Sequence, residues 1–322
     1  MKLLRFFQRK RQKPDWQPIP HSIIKDENLQ SVLHEQGIAV RPFLDKAQLE
    51  ELKVLYQAEH QITEQEGGMF YSVYSQDFDY RQRIHQAIQA ILQPTMDQWF
   101  TDYRVVLNSF IIKASGPKSE FYLHQDTTGL DETQYSALSL WIPLEDVDET
   151  NGAMCVIPKS HHWFSPYRGI SFPPPYQDIT DTVRAYLKPV PVKAGEAVIF
   201  DNRILHNSLP NTSGKNRVVV MSGLFPKEAK VMTCFKDSTV ENGDIELLEH
   251  DDDFLLRYPN FLIDCHVRPN VGRSLGFVAD EYPPISAAQF EQLCAKHGIE
   301  KQPILPGEAT VDCHLIGEPV SA

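Results

Sequence analysis

The sequence predicts an all-β core with helical decorations, on three observations. Five short segments after Tyr103 are rich in Val, Ile and aromatic residues, and Gly, Pro, Asn and Asp clusters separate them. Helical periodicity is confined to stretches before and after these segments. No Gly-rich phosphate loop follows any of them, which excludes a doubly wound nucleotide-binding sheet. Strands with no interleaved helices close as an antiparallel sandwich or barrel.

The first thirteen residues carry Lys2, Arg5, Arg9, Lys10, Arg11 and Lys13 and no acid, while the chain as a whole has a formal net charge of −12. The body is therefore more acidic than the total suggests, and binding to nucleic acid is not expected. The apolar part of the head, Leu3, Leu4, Phe6 and Phe7, is too short for a secretion signal. Residues 1–20 read as a basic flexible segment with no stable membrane anchoring. Residues 21–322 read as a single domain with N-terminal helices and a C-terminal extension.

After Pro14, Pro18 and Pro20, Leu49, Leu52, Leu55 and Tyr56 recur at helical spacing between Leu44 and His60, with Asp45 placed to cap the start. A second helix is predicted from Asp77 to Trp99, with Ile84, Ile88, Ile91 and Leu92 on one face. Pro94 should kink or end it. Both apolar stripes read as core packing on a sheet. The strands then follow at 103–114, 136–144, 153–158, 196–202 and 216–225. The interval from Pro158 to Lys188 reads as a long loop, and a loop of that length in a compact domain suggests a lid. Near the C-terminus, Ser286 and Gln289 form a capping box for a helix that ends at Gly298 and packs back onto the barrel.

With 42% hydrophobic and 23% charged residues and no apolar run of membrane-spanning length, a soluble protein is expected. The five cysteines are widely spaced and contain no C-x-x-C pair, which suits a reducing cytoplasm and not a structural zinc site. The repeated tripeptides Asp264-Cys265-His266 and Asp312-Cys313-His314 place adjacent side chains that rarely converge on one metal, and no role is given to them.

His124-Gln125-Asp126 follows the short apolar run Phe121-Tyr122-Leu123. On a strand, residues i and i+2 face the same side, so an imidazole and a carboxylate can reach one metal together. A third ligand from a distant strand would complete a facial 2-His-1-carboxylate set. Alone, an H-x-D tripeptide is more often a solvated or core histidine. A second signal comes from the segment holding His206, Ser208 and Arg217. An arginine can grip a carboxylate through two parallel hydrogen bonds, and a serine hydroxyl can donate to the same group.

Together with Leu140-Trp141-Ile142-Pro143-Leu144, Asn151-Gly152-Ala153-Met154 and Pro158-Lys159-Ser160-His161, these residues resemble the phytanoyl-CoA dioxygenase family of Fe(II)/2-oxoglutarate enzymes. The resemblance runs from about Leu107 to Phe225. It implies a double-stranded β-helix, or jelly roll. It implies Fe(II) held by His124, Asp126 and His206, with 2-oxoglutarate held by Arg217 and Ser208 and with O2 as the second cosubstrate. The family often has glycine where Lys159 stands. Related halogenases replace the metal carboxylate with a small residue, whereas Asp126 is retained here, so hydroxylation or another C–H oxidation is expected.

Lys113 and Asn108, on the strand before the H-x-D turn, are further candidates to reach the cosubstrate carboxylates, although solvation at a strand edge competes for Lys113. Trp141 is expected in the core first and as a pocket wall second. His161 and His162 are expected to hydrogen-bond or face solvent and not to bind metal. The expected activity is oxygenation of a small organic or acyl-type metabolite in the cytoplasm, with no obligate protein partner. The competing readings are a catalytically silent jelly-roll binding protein and a cupin-like isomerase or sugar-binding protein. Loss of the triad or the arginine would favour silence, and neither is lost.

Overall fold

The computed structural model describes residues 19–60, 68–237, 239–240, 243–258 and 267–303. The basic head and the tripeptides at 264–266 and 312–314 lie outside the described residues.

Asp26 caps α1 (Glu27–Gln36) by accepting from the Leu29 amide, and Gly37 ends it in the left-handed conformation at φ 77°. A Cβ at Gly37 would also lie 2.4 Å from His161 Nδ1, so glycine is required twice over. After strand β1 (Ile38–Pro42), Asp45 and Gln48 form the capping box of α2 (Lys46–Glu59). The short β2 (Met69–Tyr71) precedes α3 (Phe78–Trp99), which Asp77 caps.

Pro94 does not end α3, which runs through it to Trp99. Two features bridge the interruption. Ile84, Ile88, Leu92 and Met96 stay buried in one stripe across it, and the Gln48 side chain donates to the Ile91 carbonyl at 2.8 Å on the turn that the proline disturbs.

The remaining strands are β3 (Tyr103–Lys113), β4 (Phe121–His124), β5 (Leu138–Pro143), β6 (Met154–Ile157), β7 (Lys188–Val190), β8 (Glu196–Asp201), β9 (Leu205–Ser208) and β10 (Arg217–Pro226). One antiparallel sheet has the order β1-β8-β5-β10-β3-β2, and a second has the order β4-β9-β6-β7. The chain passes between these sheets from β3 to β4 to β5 to β6, and again from β7 to β8 to β9 to β10. That winding is the double-stranded β-helix.

Side-chain parity divides the larger sheet. Phe110, Ile112, Leu138, Leu140, Ile142, Val218 and Val220 join the apolar stripes of α1, α2 and α3 on its outer face. The alternate residues Ile111, Trp141, Val198, Phe200 and Val219 meet Met154 and Val156 of the smaller sheet and fill the space between the two sheets.

The segment 158–188 is not the open loop expected. It contains short helical turns and α4 (Thr180–Arg184). Trp163, Phe164, Tyr176 and Val183 bury against Leu123, Leu205 and Leu209. Between Pro226 and Ser286 the residue pattern predicts no element, yet β11 (Val231–Phe235), β12 (Ile245–His250) and β13 (Arg273–Val278) form a third antiparallel sheet, with α5 (Phe254–Arg257) between the last two. Ser286 and Gly298 bound α6 (Ala287–His297) as expected, and Phe290 and Cys294 pin it to the 158–188 segment. No described helix is long and apolar enough to cross a membrane.

Candidate active site

β4 and β9 are neighbours in the smaller sheet, and their register sets His124 directly opposite His206. The imidazole centroids are 4.0 Å apart. Asp126 lies two residues beyond the end of β4, where its amide donates to the Asn202 carbonyl at 2.9 Å on the turn leading into β9. Its Oδ1 is 3.4 Å from His124 Nε2 and 3.8 Å from His206 Nε2.

Both rings are oriented by the backbone. His124 Nδ1 is 3.0 Å from the Tyr122 carbonyl, and His206 Nδ1 is 3.0 Å from the Ile204 carbonyl. A carbonyl can only accept, so each Nδ1 carries a proton and each Nε2 is the nitrogen turned toward the carboxylate. Burial, followed by the neighbouring His124, pushes His206 down to about 4, so it is neutral near pH 7. Burial works to raise Asp126, but His124 and His206 hold its carboxyl below the usual range. Its Oδ2 is buried without a hydrogen-bond partner. Two imidazole nitrogens and a carboxylate turned toward one point are a donor set that a cation can bridge, and the three residues can together hold a metal ion.

Arg217 opens β10 opposite Lys113 at the end of β3. Its side chain is 1% exposed, and its guanidinium lies 5.0 Å from the Trp141 ring centroid, yet Nε and Nη1 have no hydrogen-bond partner among the described residues. Burial lowers its pKa to about 10, which still leaves it charged at neutral pH. An unpaired buried guanidinium costs several kcal/mol of desolvation, so this geometry calls for an anion.

Lys113 is fully buried, contrary to the solvated strand-edge position that competed for it. Its Nζ donates to Ser208 Oγ at 2.7 Å and to the Leu209 carbonyl at 2.6 Å. Gly152 makes room for this, since a Cβ there would come within 2.6 Å of Lys113 Cδ. Burial and then Arg217 push Lys113 down to about 6. Lys113, Ser208 and Arg217 are thus contiguous.

Asn108 is not among them. It lies an odd number of residues from Lys113 and therefore on the opposite face of β3, where its side chain donates to the His85 carbonyl and to Gln89 of α3. The expectation that it reaches a cosubstrate fails on this parity. His161 and His162 serve structurally, with both Nε2 atoms on the His34 carbonyl at 3.1 and 2.8 Å.

Sequence reasoning missed the support behind Asp126. Arg168 donates from Nε to the Asp126 carbonyl at 2.8 Å, and its two terminal nitrogens form a bidentate pair with the buried Glu132 at 2.6 Å each. The Thr128 amide donates to the Arg168 carbonyl at 3.0 Å, and the Arg168 amide donates to Thr128 Oγ1 at 2.8 Å. No spacing pattern marks residues brought together from 36 to 42 positions apart. Only the surplus of charge in otherwise apolar surroundings could have signalled them.

The family model for phytanoyl-CoA dioxygenase matches residues 33–219. A phytanoyl-CoA dioxygenase 1 of Oryza sativa subsp. japonica is 32% identical over 121 residues, covering 35% of this chain and 41% of the relative. A phytanoyl-CoA dioxygenase domain-containing protein 1 of Danio rerio is 32% identical over 136 residues, covering 39% and 47%. The chain thus spans less than half the length of these relatives. Among solved structures, the non-heme alpha ketoglutarate dependent epimerase SnoN from nogalamycin biosynthesis superposes with a TM-score of 0.46 at 19% identity, over 64% of this chain and 84% of that one. Since the family model spans more than half of the sequence and includes every residue of the His124–Asp126–His206 and Arg217 constellation, the chain belongs to the phytanoyl-CoA dioxygenase family.

Proposed function

We propose that this protein is an Fe(II)- and 2-oxoglutarate-dependent oxygenase that hydroxylates a small organic or acyl-type metabolite, with His124, Asp126 and His206 as the iron ligands. The observation that supports the reading is a pair of unmatched buried polar groups in one interior: a carboxylate oxygen on Asp126 and two guanidinium nitrogens on Arg217, all without hydrogen bonds among the described residues. The first calls for a cation and the second for an anion. A metal chelated by a dicarboxylate satisfies both, because the distal carboxylate can take the bidentate grip of Arg217 and the hydroxyl of Ser208.

When bound, iron would supply the oxidising chemistry, in which 2-oxoglutarate and O2 yield succinate and CO2 and one oxygen atom is inserted into a C–H bond. The protein's part is positioning. The Tyr122 and Ile204 carbonyls fix both imidazole tautomers, Arg168 holds the backbone of Asp126, and Trp141 forms the apolar floor beneath Arg217.

The test is anaerobic titration of the Fe(II) protein with 2-oxoglutarate, reading the visible charge-transfer absorption of a bidentate keto-acid chelate. The band should appear in wild type, vanish in His206→Ala, and require about 100-fold more cosubstrate in Arg217→Ala. A well-loaded wild-type protein without the band would favour a silent binding protein.

A further inference from the structure

One group beside the metal ligands has no task in the oxygenase reading. Tyr71 on β2 pairs with Ile111 of the larger sheet, while Phe121 pairs with Ser208 of the smaller one. Their ring centroids are 6.0 Å apart, so together they bridge the gap between the sheets. Tyr74, on the turn Ser72–Tyr74, extends the series 5.1 Å from Tyr71, and Phe121 carries it on to His124 at 4.9 Å. Tyr122 lies 4.6 Å from Phe121 and 5.1 Å from His124. The register shift of β4 against β9 between Phe121 and His124 lets both residues, an odd number apart, face the same space.

These rings are not sealed into the core. Tyr71, Tyr74 and Phe121 are half-buried, and Tyr122 is 52% exposed. Aromatic rings tilted against one another around His124, with Phe121 edge-on to its imidazole, and open on one side, form a surface on which a further ring can stack. The charges nearby decide what that ring can carry. Asp126 lies behind the His124 ring, 3.4 Å from its Nε2, and burial is the main cause that holds all three phenols above their ordinary range. Arg217 bears on Tyr71, Lys113 pairs with Met69 of the same strand, and the proposed function already commits Arg217 to the cosubstrate. The adjoining Arg184 is closed in a pair with Glu120. Of the cations identified beside this surface among the described residues, none is left for a phosphate, because Lys113 lies with Arg217 and Ser208 and Arg184 is paired.

We propose that the substrate presents to this site an uncharged ring system without phosphate groups, which lies against Tyr71, Tyr74, Phe121 and Tyr122. The proposal rests on the oxygenase reading for the reaction but not for binding. It separates this chain from a role on a coenzyme A thioester, whose several phosphates need cationic contacts.

The experiment uses protein loaded with Ni(II) and 2-oxoglutarate, with 2-naphthol, 2-naphthyl phosphate and hexadecanoyl-CoA as probes in calorimetric titration. 2-Naphthol should bind at least tenfold more tightly than its phosphate and more tightly than the acyl-CoA. Tyr122→Ala should weaken 2-naphthol at least fivefold and leave the Ni(II) and 2-oxoglutarate affinities in place, because Tyr122 supports His124 through its backbone carbonyl. Equal or tighter binding of either phosphate-bearing probe overturns the proposal, as does no naphthol binding or an unchanged affinity in Tyr122→Ala. Loss of 2-oxoglutarate binding to the wild-type protein would instead sink the oxygenase reading, and the ring measurement on the protein alone would still stand.

Discussion

Arg217 shows most directly how a residue proposed to hold the cosubstrate can also be destabilising. Its buried guanidinium has two nitrogens without partners, so replacing it with an apolar side chain of similar length removes a desolvation cost along with an anion site. Arg217→Met is therefore expected to unfold at higher temperature than wild type without cosubstrate, by about 1–3 kcal/mol, and to show no further rise on adding 2-oxoglutarate. Thermal scans with and without 2-oxoglutarate check this, and a destabilised variant would mean that the guanidinium is already satisfied. Lys113 adds a pH dependence with a definite sign. Its ammonium sits at about 6 in the folded protein against about 10.4 in an unfolded chain. Between those values the unfolded chain holds the proton and the folded one does not, so this group makes stability rise with pH across that window and carries its full burial penalty below about 6. A cosubstrate carboxylate placed beside it and Arg217 favours the charged form. Near pH 7.5, 2-oxoglutarate binding should thus take up close to one proton, seen as a binding enthalpy that depends on the buffer, and Lys113→Met should abolish the uptake. At this scale the convergence of His124, Asp126 and His206 was legible because H-x-D and a later histidine fall on strand ends. Asn108 was misplaced because parity along β3, which separates it from Lys113, was not applied.

Among the elements, the turn after β4 and the 158–188 segment act as one unit. Arg168 ties the segment to the Asp126 carbonyl, and Glu132 balances its charge. Removing Arg168 alone strands a buried carboxylate, so Arg168→Met should cost about 3–5 kcal/mol. The pair Arg168→Met with Glu132→Leu should recover most of that stability yet bind Ni(II) some 10–100-fold more weakly than wild type, since Asp126 loses its anchor. Denaturant unfolding together with metal titration separates the two effects, and wild-type metal affinity in the double variant would reduce Arg168 to packing. The same segment begins with Lys159 at φ 68°, the left-handed conformation that glycine adopts freely. Lysine here keeps the turn that the family often builds with glycine, at a conformational cost, so Lys159→Gly is expected to stabilise the fold by about 1 kcal/mol in urea unfolding. Helices with caps were legible, as Asp45, Asp77 and Ser286 show. The three residues of β2 and the charged strand Ile245–His250 were not, because their partners come from far along the chain and their own composition carries little strand signal. The helix from Glu27 was available from Asp26 and Gly37 and was overlooked.

For the molecule as a whole, alternation of the chain between two sheets brings the proposed site to their shared interior, with His124, Asp126 and His206 from the smaller sheet and its adjoining turn and Arg217 and Lys113 from the larger. The fold class was legible because strand runs and breaker clusters survive in composition, whereas the order of strands is set by pairings that composition does not encode. The arrangement makes the ligand a clasp. A metal held by β4 and β9 whose chelating cosubstrate reaches Arg217 on β10 joins both sheets, so unfolding either sheet must release it. Binding to the folded state alone adds RT ln(1 + [L]/Kd), about 2.7 kcal/mol at a hundredfold excess over Kd. Ni(II) alone should give part of that stabilisation, 2-oxoglutarate alone little, and the two together more than the sum of their separate effects, because each completes the other's coordination. Asp126→Ala should remove the Ni(II) effect and with it the coupling, while Ser208→Ala should retain the Ni(II) effect and reduce the joint one. If 2-oxoglutarate alone stabilises the protein as much as the pair does, the carboxylate pocket works independently of the metal and the two sheets are not clasped through it.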